Sequence, residues 1–128
     1  MIKSVEELTV DKNFAVGNDI VFIPDFDKSF TPLFKNKVYT VNEIAYCEQF
    51  DNALLRYAST WAAKEAAYKA IKQLYRVALS WKKIEISRDK IAGKPSVKIP
   101  TNHVPISISL SISHDGDYVW AVVIAEKI

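Results

Sequence analysis

The sequence predicts an α+β domain. Three observations carry that expectation: one strand-like segment near the start, an alanine-rich helical middle, and three or four strand-like segments with turn dipeptides near the end. No internal repeat, low-complexity tract or Gly/Ser linker interrupts the chain, so residues 1–128 are expected to form a single domain.

The elements follow in order. Residues 15–23, AVGNDIVFI, read as a strand stopped by the breaker Pro24. As far as about Ala45, Pro32 and several aromatics predict short helices and loops. Residues 43–78 read as helical, most clearly in TWAAKEAAYKAIKQLY, which is rich in strong helix formers. Residues 84–87 and 96–99 read as strands flanking the turn signal Ala92-Gly93-Lys94-Pro95. In PISISLSISH, Ile106, Ile108, Leu110 and Ile112 fall on one face of a strand and the serines between them on the other. Asp115-Gly116 is a hairpin dipeptide, and the continuously apolar segment 118–125 reads as a fully buried return strand.

Composition excludes several classes. The net charge of +2 gives no sign of a general nucleic-acid binder, although a mildly basic surface suits an acidic protein partner. The one cysteine, Cys47, permits no intrachain disulfide and points to a reducing compartment. The acidic N-terminal segment does not read as a signal peptide, and no apolar run is long enough for a membrane helix. A cytoplasmic protein with no membrane partner is expected.

Three polar residues stand in apolar frames. Asp19 shares a strand face with Gly17, Val21 and Ile23, where an unpaired carboxylate is costly. It must meet a cation, a metal or a proton, or lie at a strand end that reaches solvent. Glu65 sits mid-helix among alanines with Trp61 and Tyr68 on either side; it suits either a ligand site or a Glu65–Lys69 pair at i,i+4. His114 continues the phase of Ile106 to Ile112, which suits a ligand contact, a satisfied core histidine or a turn cap through Asp115. His103, in a polar loop, reads as surface. Two carboxylates with a lysine and a histidine have the chemistry of a hard-metal phosphate site.

The wording of four segments resembles a known family. VGNDIVFI is similar to its opening G-x-D-I-V strand, and KVYTVNEIAYCE to the helix start that follows. WAAKEAAYKA resembles its W/F-x-x-K-E-A-x-x-K-A helix, and SISHDGDYVWAVV its closing S-I-S-H hairpin. In this order they resemble the short holo-acyl-carrier-protein synthase class of the 4′-phosphopantetheinyl transferase superfamily. The resemblance implies that family's fold: a mostly antiparallel sheet packed against a long central helix and shorter helices. It implies transfer of 4′-phosphopantetheine from coenzyme A to a serine of an apo acyl or peptidyl carrier protein, with release of 3′,5′-ADP. It also implies Asp19 and Glu65 as Mg²⁺ ligands, with Lys69 as a third catalytic residue close to the phosphates. Lys69, Lys94, Pro95, Ser113 and His114 would bind coenzyme A. Val21 stands where two-lobed relatives carry a third acidic ligand, so water is expected in that coordination position. The short class further implies a homotrimer with sites at subunit interfaces.

The chain departs from the family pattern at several positions. Residues 72–77 replace the usual glycines after the K-E-A helix, and Thr60 stands where an arginine is common. Asp25 and Asp27 occupy positions where relatives often carry basic residues for the carrier; Lys28, Lys35 and Lys37 would shift the positive patch along the segment. Two alternatives fit the same residues: a Mg²⁺-dependent phosphohydrolase using Asp19, Glu65 and His114, and a non-catalytic homologue that binds coenzyme A or carrier. Incubation with Mg²⁺, coenzyme A and apo-carrier, followed by mass spectrometry, separates all three.

Overall fold

A computed structural model describes residues 13–88, 93–100 and 105–128. The expectations for the N-terminal segment before Asn13, for Ala92 and for His103 lie outside these residues. The chain runs β1 (Phe14–Phe22), α1 (Ile23–Ser29), α2 (Pro32–Val38), α3 (Val41–Cys47), α4 (Ala53–Leu74), a 3₁₀ turn (Trp81–Lys83), β2 (Glu85–Arg88), β3 (Pro95–Lys98), β4 (Ile106–Asp115) and β5 (Tyr118–Lys127). The expected α+β class is what forms.

Proline and capping residues punctuate the first half. Pro24 and Pro32 each sit in the first turn of a helix, where a missing N–H costs nothing. Thr31 and Thr40 cap α2 and α3, and Thr40 forms a reciprocal capping box with Glu43. The helical reading of 43–78 needs two corrections. Residues 48–52 break it, because Asn52 caps a new helix by accepting a bond from the Leu55 N–H at 3.2 Å. At the far end, α4 stops at Leu74 and Tyr75 is already extended.

The main sheet has the order β1-β5-β4, antiparallel throughout. Its register aligns Gly17 with Val123 and Leu110, and Asp19 with Ala121 and Ile112. Helix α4 crosses the face that carries Val119, Ala121, Val123 and Ala125. Ala58, Ala62, Ala66 and Ala70 of α4 are fully buried, so the helix backbone comes close to the strands. The approach is tightest at Gly17, where a Cβ would collide with the Ala66 carbonyl oxygen and lie 2.8 Å from the Ala70 nitrogen. β2 and β3 form a separate two-stranded hairpin. At the β4–β5 turn, Gly116 has the positive φ of 57° that the first central position of a type II′ turn requires.

One expectation fails. β5 is apolar throughout but not fully buried, because α4 covers only one face of the sheet. Tyr118, Trp120 and Ile124 are about half exposed, and Ile20 of β1 lies beside Trp120 on the same outer face. β1 is an edge strand; Gln73 donates to the Val16 carbonyl at 2.9 Å and Lys69 to that of Asn18 at 3.1 Å. Among the described residues no helix is long and apolar enough to cross a membrane.

The second half of the core is aromatic and ionic. Tyr57 meets Phe30 at a tilt and Tyr39 edge-on, and the Tyr39 hydroxyl donates to the Tyr57 carbonyl at 2.8 Å. Beside them Lys64 and Glu43, both wholly buried side chains, form an ion pair at 2.5 Å. Glu43 also accepts from the backbone N–H groups of Thr40 and Ile86, each at 2.8 Å, so one carboxylate ties α3, α4 and β2 together.

Gly17→Ala tests the close crossing. The added methyl meets helix backbone, which cannot move aside as a side chain would, so the variant should lose more than about 2 kcal/mol of stability. Urea unfolding checks this; an unchanged midpoint would mean that β1 and α4 are not in contact at Gly17.

Candidate active site

Two residues beyond Gly17 on the same face of β1, Asp19 reaches the flank of α4, where its side chain is only 14% exposed. Lys69 Nζ lies 2.9 Å from Asp19 Oδ1, so the helix lysine reaches across to the strand. The alternative of a Glu65–Lys69 ion pair along the helix is therefore not what forms. Glu65, one turn before Lys69, lies against Asp19 instead. Burial first, then the Asp19 charge and a hydrogen bond to that carboxylate, push its pKa up to about 7, against the pull of Lys69. Two carboxylates thus share one lysine and, at neutral pH, part of one proton.

That donor set fits a hard divalent cation. Both ligands offer oxygen, and a cation between them relieves the repulsion that now raises Glu65. Among the described residues no third His, Cys, Asp or Glu joins them, so a cation held there would take its further ligands from water or a substrate. The pair opens onto a cleft of about 490 Å³ walled by Phe26, Phe34 and Trp61. Asp25 also lines this cleft.

The other expected site residues divide. Pro95, Ser113 and His114 line a smaller cleft of about 180 Å³ together with Tyr46, Arg56 and Arg88. Lys94 is exposed in the turn after Gly93 and does not line it. Arg56 and Arg88, two of the three arginines, are the residues the sequence reading missed. Neither stands in a recognisable motif, and only the packing of β2 onto α4 brings them together. Arg56 and Glu65 are nine residues apart, roughly two and a half turns, so they project from opposite flanks of α4. Hence the carboxylate pair and the arginine cleft do not meet within one chain.

Glu65 makes a pH prediction. Its folded pKa lies above the ordinary 4.5, so the folded state holds the proton more tightly than the unfolded chain. The resulting stability is complete below the unfolded value and is lost as pH rises through about 7. In metal-free buffer, wild type minus Glu65→Gln should therefore lose stability between pH 5 and pH 8, read as urea midpoints (about these values bracket the shift). Parallel pH profiles for the two proteins would show that Glu65 is not perturbed.

Known proteins supply the comparison. The pattern that defines the 4′-phosphopantetheinyl transferase superfamily matches residues 15–123. A holo-[acyl-carrier-protein] synthase from Koribacter versatilis is 35% identical over 120 residues, covering 86% of this chain and 95% of the relative. Among solved structures, the Chronobacterium ammoniagenes ACPS–CoA complex superposes with a TM-score of 0.77 at 26% identity, covering 90% of this chain and 98% of that one. The holo-[acyl-carrier-protein] synthase from Neisseria meningitidis gives 0.74 at 33% identity, with 88% and 98% covered. On these grounds, and with its K-E-A helix and G-N-D strand meeting at the carboxylate pair, the chain belongs to the 4′-phosphopantetheinyl transferase superfamily.

Proposed function

We propose that this protein is a holo-acyl-carrier-protein synthase that moves 4′-phosphopantetheine from coenzyme A to a carrier serine with the aid of Mg²⁺. The observation that carries the reading is the meeting of Asp19, Glu65 and Lys69, with both carboxylates opening onto one cleft. The serine oxygen forms a bond to the β-phosphorus of coenzyme A, the bond to the α-phosphate oxygen breaks, and 3′,5′-ADP leaves. Asp19 and Glu65 would hold Mg²⁺, which would supply neutralisation of charge on the pyrophosphate. Lys69 opposes the charge that builds on the departing phosphate and gives the carrier serine's proton a nearby route. Glu65, protonated in part near neutral pH, would have to release that proton to hold a cation, which would couple metal binding to pH.

A homotrimer with coenzyme A bound between chains belongs to the same proposal. Its support is twofold. The outer face of the sheet leaves Ile20, Tyr118, Trp120 and Ile124 half exposed or more. The phosphate-handling residues also lie on opposite flanks of α4, so a ligand touching both flanks must bridge two copies. The number three comes from the family resemblance.

The carrier surface needs revision. Lys35 donates to Glu48 at 2.8 Å and lies over the Tyr57 ring, so it is occupied within the chain. Lys28 and Lys37, both exposed, remain to meet an acidic carrier.

Two experiments test the proposal. Asp19→Asn and Glu65→Gln should each cut transfer to an apo-carrier at least roughly a hundredfold, measured by mass spectrometry, while circular dichroism stays unchanged. Transfer by Asp19→Asn near the wild-type rate would remove Asp19 from the site. Separately, Trp120→Glu puts charge on the outer face and should yield an inactive monomer by light scattering. A fully active monomer would exclude an interface site.

A further inference from the structure

The elements that border the catalytic cleft differ in charge. Helix α1 carries Asp25 and Asp27, both exposed, and Asp25 lines the cleft itself. The 3₁₀ turn carries the opposite sign. Trp81, its first residue, packs against Trp61 with ring centres 4.8 Å apart and against Tyr68 with ring centres 5.3 Å apart. Trp61 precedes Glu65 by four residues and Tyr68 follows it by three, so the turn rests on the flank of α4 that carries the carboxylate. Lys82 and Lys83 come directly after Trp81, and both are exposed. Helix α2 packs beside the turn, and its Phe34 meets the same Trp61 ring at 5.1 Å. On α2, Leu33 is 79% exposed, and Lys37, one turn further on, is exposed as well. Among the described residues no carboxylate pairs with Lys37, Lys82 or Lys83, whereas Lys35, Lys64 and Lys69 are all paired within the chain.

We propose that the carrier docks through an acidic segment on the 3₁₀ turn and the adjoining α2, with Lys82 and Lys83 setting its affinity. The inference rests on the transferase reading for the identity of the partner. Two arguments place the docking here. A carrier serine has to reach Asp19, Glu65 and Lys69, so its protein must cover the rim of this cleft. Of the elements on that rim, α1 offers Lys28 against two aspartates, and like charges facing each other suppress a wrong approach. The turn offers two lysines and no acid. Unpaired ammonium groups near an exposed leucine have the composition of a small apolar contact with a charged rim. The acidic segment therefore sits away from α1, toward Trp81.

The apo form of an acidic acyl carrier protein is the probe. Wild type, Lys82→Glu/Lys83→Glu and Lys28→Glu are assayed for transfer at about 0.05 M and about 0.5 M salt. At low salt the double reversal should raise the carrier KM roughly tenfold or more, with the loss falling on that KM rather than on kcat or the KM for coenzyme A. At high salt, where the screening length falls to about 4 Å, the difference should shrink to roughly twofold. A carrier whose acidic residues after the modified serine are changed to lysine should work with the reversed variant and fail with wild type. An unchanged carrier KM, a larger effect from Lys28→Glu, or a loss that salt does not screen would each overturn the inference. A raised KM for coenzyme A would also overturn it, by assigning the two lysines to the donor. If wild type transfers nothing, binding of the same apo-carrier is followed by surface plasmon resonance. Salt-sensitive binding that the double reversal abolishes keeps the docking site while the transferase reading fails; no binding removes the docking site too.

Discussion

The missing side chain at position 17 is the constraint on which the site depends. Strand β1 lies against the backbone of α4 only because nothing projects from Gly17 toward Ala66 and Ala70. From that crossing the geometry follows. A strand repeats its facing every second residue, so the next inward side chain is Asp19. A helix brings residues four apart onto one flank, so Glu65 and Lys69 both border the crossing. Small residues on both partners, glycine on the strand and alanines on the helix, set a separation at which two carboxylates and a lysine must meet.

A second constraint fixes the helix against the other half of the fold. Lys64, the residue before Glu65, is buried with its charge and is pulled below the ordinary lysine range by desolvation, while Glu43 pulls it back up. A buried ion pair is not in itself a large source of stability, because both charges lose their water. Its value here is directional. Glu43 accepts from Lys64, from Thr40 and from Ile86, and only one rotation of α4 satisfies the three together. That rotation turns Lys64 inward and leaves Glu65 facing β1. Glu65 and Lys64 are neighbours in sequence and therefore point in different directions, one to β1 and the other into the core.

Much of this was legible in the sequence, and the failures are physical. Asp19, Glu65 and Lys69 were readable because an acid in an apolar alternation and an acid among alanines are local anomalies, and the structure brings all three together. The β4 alternation was equally local, and Ile106, Ile108, Leu110 and Ile112 pack on the core as expected while the serines face out. The break at 48–52 was missed because residues on both sides of it favour helix, and only the Asn52 cap reveals a restart. The exposed face of β5 was missed because an apolar residue reads the same whether its cover is a helix or a second chain. Arg56 and Arg88 were missed because they are 32 positions apart and converge only after β2 packs.

The two bonds from α4 to the rim of β1 have a consequence for how this protein fails. An edge strand presents unpaired carbonyls that template the strands of other molecules, and native proteins often guard such edges with lysine. Here Lys69 and Gln73 occupy the carbonyls of Asn18 and Val16. The lysine that pairs with Asp19 thereby also guards the strand edge against aggregation. With this edge occupied, the exposed apolar outer face favours face-to-face contacts over fibrous growth along β1. A variant that loses this lysine uncovers the Asn18 carbonyl and strips Asp19 of its partner at once, so solubility and the state of the carboxylate change together.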